Sequence, residues 1–125
     1  MNDEVTIKLL LANPLFSQLR SDELAEIVAF ARIKLVEKKE IIFHKGDRGE
    51  QLFAVLKGRV QITTISEEGK EIIFNLVEPG ELFGEISLFD GMERTATAMT
   101  LIASELLLIN RRDFIPFLEK NPHIA

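Results

Sequence analysis

The chain has 125 residues, the length of one domain, and its 46% hydrophobic and 28% charged residues are ordinary for a globular protein. A formal net charge of −5 at pH 7 excludes binding of DNA phosphates through overall charge. The absence of cysteine excludes disulfides, thiolate zinc sites, iron–sulfur clusters and thiol nucleophiles.

Two short helices are predicted at the beginning of the chain. Aliphatic residues repeat at helical spacing within residues 4–12, and Asn13-Pro14 ends that segment. The same spacing recurs in residues 22–31, where acidic residues occupy the first turn. Ser21 is the expected N-cap of this second helix.

Short β-branched and aliphatic runs, separated by turn signals, dominate residues 32–110 and predict strands. The runs are Ile33–Val36, Ile41–His44, Gln51–Lys57, Arg59–Ile65, Glu71–Val77, Thr95–Met99 and Glu105–Ile109. Connections this short favour antiparallel pairing, and they leave no room for crossover helices. The pattern predicts a mostly β, jelly-roll-like barrel with flanking helices.

The sequence makes more detailed predictions for two elements, the second strand of a hairpin and the terminal helix. In the hairpin that ends with Glu71–Val77, the period of a strand places Ile72, Phe74 and Leu76 on one face. A terminal helix is predicted at about residues 112–120; it should not begin much earlier, because Pro116 is tolerated in the first turn of a helix.

One stretch interrupts the strands for about fifteen residues after Glu78, which is longer than an ordinary hairpin loop. Gly84 removes a side chain where a short helical turn begins, so backbone N–H groups there can approach an anion. Arg94 adds a guanidinium suited to phosphate oxygens, and Glu85 could accept a hydrogen bond from a ribose hydroxyl. These residue types point to a sugar phosphate.

A family resemblance rests on this stretch. Phe83-Gly84-Glu85-Ile86-Ser87-Leu88, five residues and then Arg94-Thr95-Ala96-Thr97-Ala98 resemble the phosphate-binding cassette of the cyclic nucleotide-binding domain at every defining position. Residues 41–58 are similar to the family's other glycine signature, with Phe43 and Ala54 as departures. The chain most resembles the sensor half of bacterial regulators of the Crp/Fnr, or catabolite activator, type.

The resemblance implies an eight-stranded antiparallel β-roll, also called a double-stranded β-helix, with N-terminal helices and a C-terminal helix. It implies backbone contacts from Gly84 and Ile86 to the sugar, a bond from the 2′-hydroxyl to Glu85, and phosphate contacts from Arg94. The remaining expected site residues are Ser87 and Thr95, which help to hold the phosphate, and Ala96.

The expected function is non-catalytic binding of a 3′,5′-cyclic nucleotide, cAMP before cGMP, without another cofactor. No signature of a catalytic nucleophile or metalloprotease is present, which argues against an enzyme. DNA would be contacted only through a C-terminal domain that is absent here, and dimerisation is possible. The alternative is a ligand-free module or one for another effector, such as a cyclic dinucleotide or a haem held by His44.

The expected address is the cytoplasm. The first residues are acidic where a signal peptide would be basic, and no apolar run approaches the length of a membrane span. A membrane partner is therefore not expected. The whole of residues 1–125 is predicted to be one sensor domain, with no DNA-binding domain.

Overall fold

The computed structural model describes residues 16–84 and 93–123. In chain order the elements are α1 (Ser21–Phe30), β1 (Arg32–Val36), β2 (Ile41–Phe43), β3 (Gln51–Lys57), β4 (Val60–Ile65), β5 (Glu71–Val77), β6 (Leu82–Phe83), β7 (Thr97–Thr100), β8 (Ser104–Asn110) and α2 (Arg111–Lys120). The helix predicted at residues 4–12 and the helical turn predicted after Gly84 lie outside the described residues.

The strands in the described part of the chain form two four-stranded antiparallel sheets. Their orders are β1-β8-β3-β6 and β2-β7-β4-β5. β1 and β2 belong to different sheets although they are adjacent in the chain, so the polypeptide passes from one sheet to the other as it coils. This arrangement confirms the eight-stranded antiparallel β-roll with flanking helices.

The strand β3 separates two hydrophobic cores. Its alternate residues Leu52, Ala54 and Leu56 belong to a core shared with the helices, whereas Phe53 and Val55 point into the roll. Because both faces of β3 are covered, the strand is a continuous apolar run rather than an alternating one. Its rigid position matters for the site, since the site uses the first residues of β3.

The helix α1 begins one residue earlier than expected. Ser21 is its first helical residue, and Arg20 is the N-cap, so the prediction of Ser21 as N-cap was wrong. The Glu23 side chain reaches back and accepts a hydrogen bond from the backbone N–H of Arg20 at 2.8 Å. The carboxylate at the third helical position therefore satisfies the Arg20 N–H at the start of the helix, and the Ser21 hydroxyl is not needed as a capping group.

The helix α2 begins at Arg111, close to the expected start, and Pro116 lies beyond its first turn. The rule that confined Pro116 to the first turn was therefore too strict. A proline inside a helix costs about 3 kcal/mol. Burial of Phe114, Phe117 and Leu118 against the roll offsets this cost, since each such side chain contributes about 1.5–3 kcal/mol.

The strand β6 was not predicted, because its two residues lie within the interrupting stretch. It pairs with β3 at Phe53↔Phe83 and Ala54↔Leu82, and this pairing attaches the beginning of the stretch to the roll. The apolar residues of so short a segment have no period that could reveal a strand.

The register between β4 and β5 shifts between Ile62 and Thr63, and Phe74 is the β5 residue that is passed over. A bulge of this kind interrupts the alternation of side chains along a strand. Ile72 and Leu76, on either side of it, therefore face opposite sides of the sheet. The prediction that these two residues and Phe74 share one face was wrong.

Candidate functional site

Four predicted site residues border one open cavity lined by both sheets: Gly84, Arg94, Thr95 and Ala96. Strands β2, β4, β5 and β6 supply the remaining wall, which consists of Phe43, Ile62, Phe74, Asn75, Leu82 and Phe83. The other predicted site residues, Glu85, Ile86 and Ser87, lie outside the described residues.

The Arg94 side chain is only 5% exposed although it carries a permanent charge. Its Nη1 donates to the Gly84 carbonyl oxygen at 2.7 Å, and its Nη2 donates to the Gln51 carbonyl oxygen at 2.5 Å. Burial of a charge is costly unless hydrogen bonds compensate it. Two backbone carbonyls from different segments therefore fix the guanidinium at the cavity wall.

The Arg94 main chain is also held. Its N–H donates to the Asp47 carbonyl oxygen at 2.6 Å, and its carbonyl oxygen accepts from the Gly46 N–H at 2.8 Å. The glycine-containing turn after β2 is thereby joined to the second half of the cassette motif. The two sequence signatures, separate along the chain, meet at Arg94.

Three phenylalanine rings lie together beside the guanidinium. Phe53 and Phe83 are stacked with centroids 5.0 Å apart, and Phe43 lies 5.8 Å from Phe53 and 6.1 Å from Phe83. The Arg94 guanidinium carbon is 4.2 Å from the centroid of the Phe43 ring and 5.8 Å from that of Phe53. Both distances lie within the range of a cation–π interaction.

Gly84 allows the guanidinium to approach the backbone closely. Its φ of +82° favours glycine, and a Cβ atom built on it would lie 2.7 Å from Arg94 Nη1. The same Cβ would lie 3.3 Å from the Gln51 carbonyl oxygen. Glycine is therefore required here for the position of Arg94, a reason additional to the predicted approach of an anion.

Thr95 is exposed and Ala96 is half-buried at the mouth of the cavity, and neither belongs to β7, which begins at Thr97.

His44 is exposed on the turn after β2, where its N–H donates to an Asp47 carboxylate oxygen at 2.8 Å. Within residues 16–84 and 93–123, no group of three or more His, Cys, Asp or Glu side chains could hold a metal ion.

Reasoning from the sequence missed Gln51, Phe43 and Phe74 as residues of the site. The contribution of Gln51 is a backbone carbonyl, which any residue type could supply, so the sequence contains no signal for it. Phe43 was visible only as a departure from the family pattern. Phe74 lines the cavity at the β5 bulge, which no local period indicates.

A second charged group is buried outside the cavity, on α1. The Glu23 side chain is 2% exposed, and its pKa is lowered, chiefly because the Arg20 backbone N–H donates to the carboxylate. His123 Nε2 lies 2.8 Å from the same carboxylate, and Lys120 pairs with Glu26 at 2.9 Å. These contacts attach the end of α2 to α1.

The described helices include none that is long and apolar enough to cross a membrane.

Comparison with known proteins assigns the chain to a family, because the model of the cyclic nucleotide-binding domain matches residues 33–121. The chain belongs to the cyclic nucleotide-binding domain family. This assignment confirms the resemblance found on the cassette.

Regulators of the catabolite activator type are among the most similar relatives. The Cyclic AMP receptor protein of Thermus thermophilus is 34% identical over 113 residues, which are 90% of this chain and 52% of that protein. The chain therefore spans about half the length of that relative. The crystal structure of the N-terminal domain of a Streptomyces coelicolor transcriptional regulator superimposes with a TM-score of 0.84 at 37% identity, covering 94% of this chain and 84% of that one.

A eukaryotic relative carries a nucleotide in its structure. The regulatory domain of Toxoplasma gondii protein kinase A, crystallised with cAMP, superimposes with a TM-score of 0.87 at 27% identity. The superposition covers 92% of this chain and 44% of that chain. The fold is thus shared with a regulatory domain of a protein kinase as well as with a bacterial transcriptional regulator.

Proposed function

We propose that this domain binds a 3′,5′-cyclic nucleotide, most favourably cAMP, without transforming it, and that it acts as the sensor part of a Crp/Fnr-type transcription regulator. The observation that carries the proposal is the buried Arg94 guanidinium at the wall of the open cavity. A buried guanidinium at the wall of a partly desolvated cavity is a strong site for a phosphate monoanion.

The cassette supplies the other roles. Arg94 pairs with the phosphate charge, Thr95 lines the same cavity, and Gly84 leaves room for the Arg94 side chain. By the family motif, Glu85 accepts a hydrogen bond from the ribose 2′-hydroxyl. Ser87 is assigned to the phosphate, and Ile86 and Gly84 to the sugar. Ala96, which follows Thr95 in the cassette, borders the same cavity.

The apolar part of the wall suits the remainder of the nucleotide. Ile62, Phe74 and Leu82 line the same cavity as Arg94, and Phe74 is 74% exposed. A purine has two apolar faces and could lie against these side chains while its phosphate meets Arg94. We choose cAMP over cGMP because the similar Thermus protein is a cyclic AMP receptor protein and the Toxoplasma domain was crystallised with cAMP.

The proposed output of binding is the regulation of transcription. The matched region is about half of the Thermus relative, so the action on DNA is assigned to a region outside this domain. Binding would act on that region through α2, the last described helix. Any resulting shift can be no larger than the difference in ligand affinity between the two conformations.

Calorimetric titration with cAMP, cGMP and AMP tests the binding function. We expect cAMP to bind more tightly than AMP, and Arg94→Leu to weaken cAMP binding by about 2–5 kcal/mol because it removes the charge partner of a largely desolvated phosphate. Thermal unfolding is a second measurement, since a ligand at 100 times its Kd adds about 2.7 kcal/mol of apparent stability. If no cyclic nucleotide at millimolar concentration releases heat or shifts unfolding, the ligand-free alternative replaces this function.

A further inference from the structure

We propose that Phe43 is a positioning residue for the ligand phosphate: its ring holds the Arg94 guanidinium in the binding orientation before the ligand arrives. The proposal rests on the proposed function for its consequence in affinity. Its structural part, the ordering of Arg94, can be measured in the protein without any nucleotide. The ordering of Arg94 by Phe43 and the binding of a cyclic nucleotide can therefore be refuted independently of each other.

The geometry places the ring against the charged group itself. The guanidinium carbon of Arg94 is 4.2 Å from the centroid of the Phe43 ring, closer than the 5.8 Å to the centroid of Phe53. A guanidinium is planar and weakly hydrated, so it packs on an aromatic face more readily than an ammonium does. Phe43 is half-buried and lines the cavity together with Arg94.

The ring is itself held in place. Phe43 lies at the end of β2, where it pairs with Ala98 of β7, and its ring meets those of Phe53 and Phe83 at centroid distances of 5.8 and 6.1 Å. Phe53 and Phe83 are both almost fully buried. A surface fixed on the core side by such packing loses little further freedom when a cation lies against it.

The chemistry of this support suits an anion site. The ring and the Gly84 and Gln51 carbonyls are neutral, so they stabilise the Arg94 cation through a quadrupole and two dipoles. These three groups orient the guanidinium and leave its charge unchanged.

The consequence for binding is an ordering cost. An arginine side chain that must be immobilised at the moment of binding costs about as much as any long flexible side chain, which corresponds to roughly 2- to 10-fold in affinity. If Phe43 already immobilises the Arg94 side chain in the free protein, Phe43→Leu should weaken cAMP binding by about that factor. Leucine keeps most of the apolar volume and has no aromatic face.

Phe30→Leu is the matched control. Phe30 is also half-buried and also meets another ring at 6.1 Å, that of Phe117, but it belongs to the helical core away from the cavity. Phe30→Leu removes one ring contact at 6.1 Å, and Phe43→Leu removes two ring contacts, at 5.8 and 6.1 Å, together with the contact to Arg94. A general loss of packing would affect the two variants alike.

The first measurement is ¹⁵N relaxation of the Arg94 side chain in the free protein. We expect an ordered guanidinium in the wild type and in Phe30→Leu, and a mobile one in Phe43→Leu. Unchanged order in Phe43→Leu would overturn the proposal, whether or not the protein binds a nucleotide.

The second measurement separates positioning from direct contact between Phe43 and the ligand. Phe43→Leu is titrated with cAMP in the wild-type background and in an Arg94→Lys background, where no planar guanidinium remains to be stacked. A loss of about 2- to 10-fold in the first background and a clearly smaller loss in the second supports positioning. Equal losses in both backgrounds would show that Phe43 acts on the ligand without Arg94, which overturns the proposal.

Discussion

Gly84→Ala is the substitution whose effect can be worked out most closely from the structure. The residue has a φ of +82°, and the new Cβ atom would lie 2.7 Å from Arg94 Nη1. The guanidinium, as the far end of a flexible side chain, has to move away. Its hydrogen bonds to the carbonyl oxygens of Gly84 and Gln51, at 2.7 and 2.5 Å, then lengthen or break.

Two terms contribute to the loss of stability. An alanine in the left-handed region costs about 1–2 kcal/mol. A hydrogen bond to a charged group contributes about 1.5–3 kcal/mol, so loss of one such bond at Arg94 adds a comparable amount. We expect the free energy of unfolding to fall by more than the backbone term alone, and cAMP binding to weaken because the phosphate partner is displaced.

Gly69→Ala isolates the backbone term. Gly69 has a φ of +81°, nearly the value of Gly84, but a Cβ atom there would have no heavy atom within 4 Å. Urea denaturation and calorimetric titration of both variants give the two effects separately. If Gly84→Ala destabilises no more than Gly69→Ala and leaves the affinity for cAMP unchanged, the contact between Gly84 and Arg94 does not hold the site together.

Two further predictions concern carboxylates. Glu85→Gln should weaken cAMP binding by about 1–3 kcal/mol and reduce discrimination against the 2′-deoxy analogue, because one charge-assisted bond is lost. Titration with both nucleotides measures this effect, and unchanged discrimination would show that Glu85 does not bind the ribose hydroxyl. The pKa of Glu23 is lowered in the folded protein, so its ionised form stabilises the fold above the unfolded pKa of about 4.3, and this contribution is lost as pH falls through the folded pKa. Glu23→Gln should therefore be less stable than the wild type at pH 7, with a difference that shrinks in acid; urea midpoints between pH 7 and 3 measure it, and a constant difference would contradict the assignment.

Local patterns were sufficient where a residue's environment depends on its neighbours in the chain. The apolar runs placed β3 at Gln51–Lys57 and β5 at Glu71–Val77, as the structure has them. Helix periodicity placed α1 and α2 within one residue of their ends. The bulge at Phe74 was not predicted, because it depends on the register between β4 and β5, and that register is a property of the pair of strands.

The amino-acid sequence alone determined the fold class and the family, and it indicated Gly84 and Arg94 as candidate site residues, because periodicity and a spaced motif are local properties of a chain. Only the tertiary structure decided what holds Arg94. The Gln51 carbonyl lies 43 positions away in sequence, and the Phe43 ring comes from a strand of the opposite sheet to β3. Contacts between distant segments exist only after the roll has closed, and the orientation of a buried charge depends on those contacts.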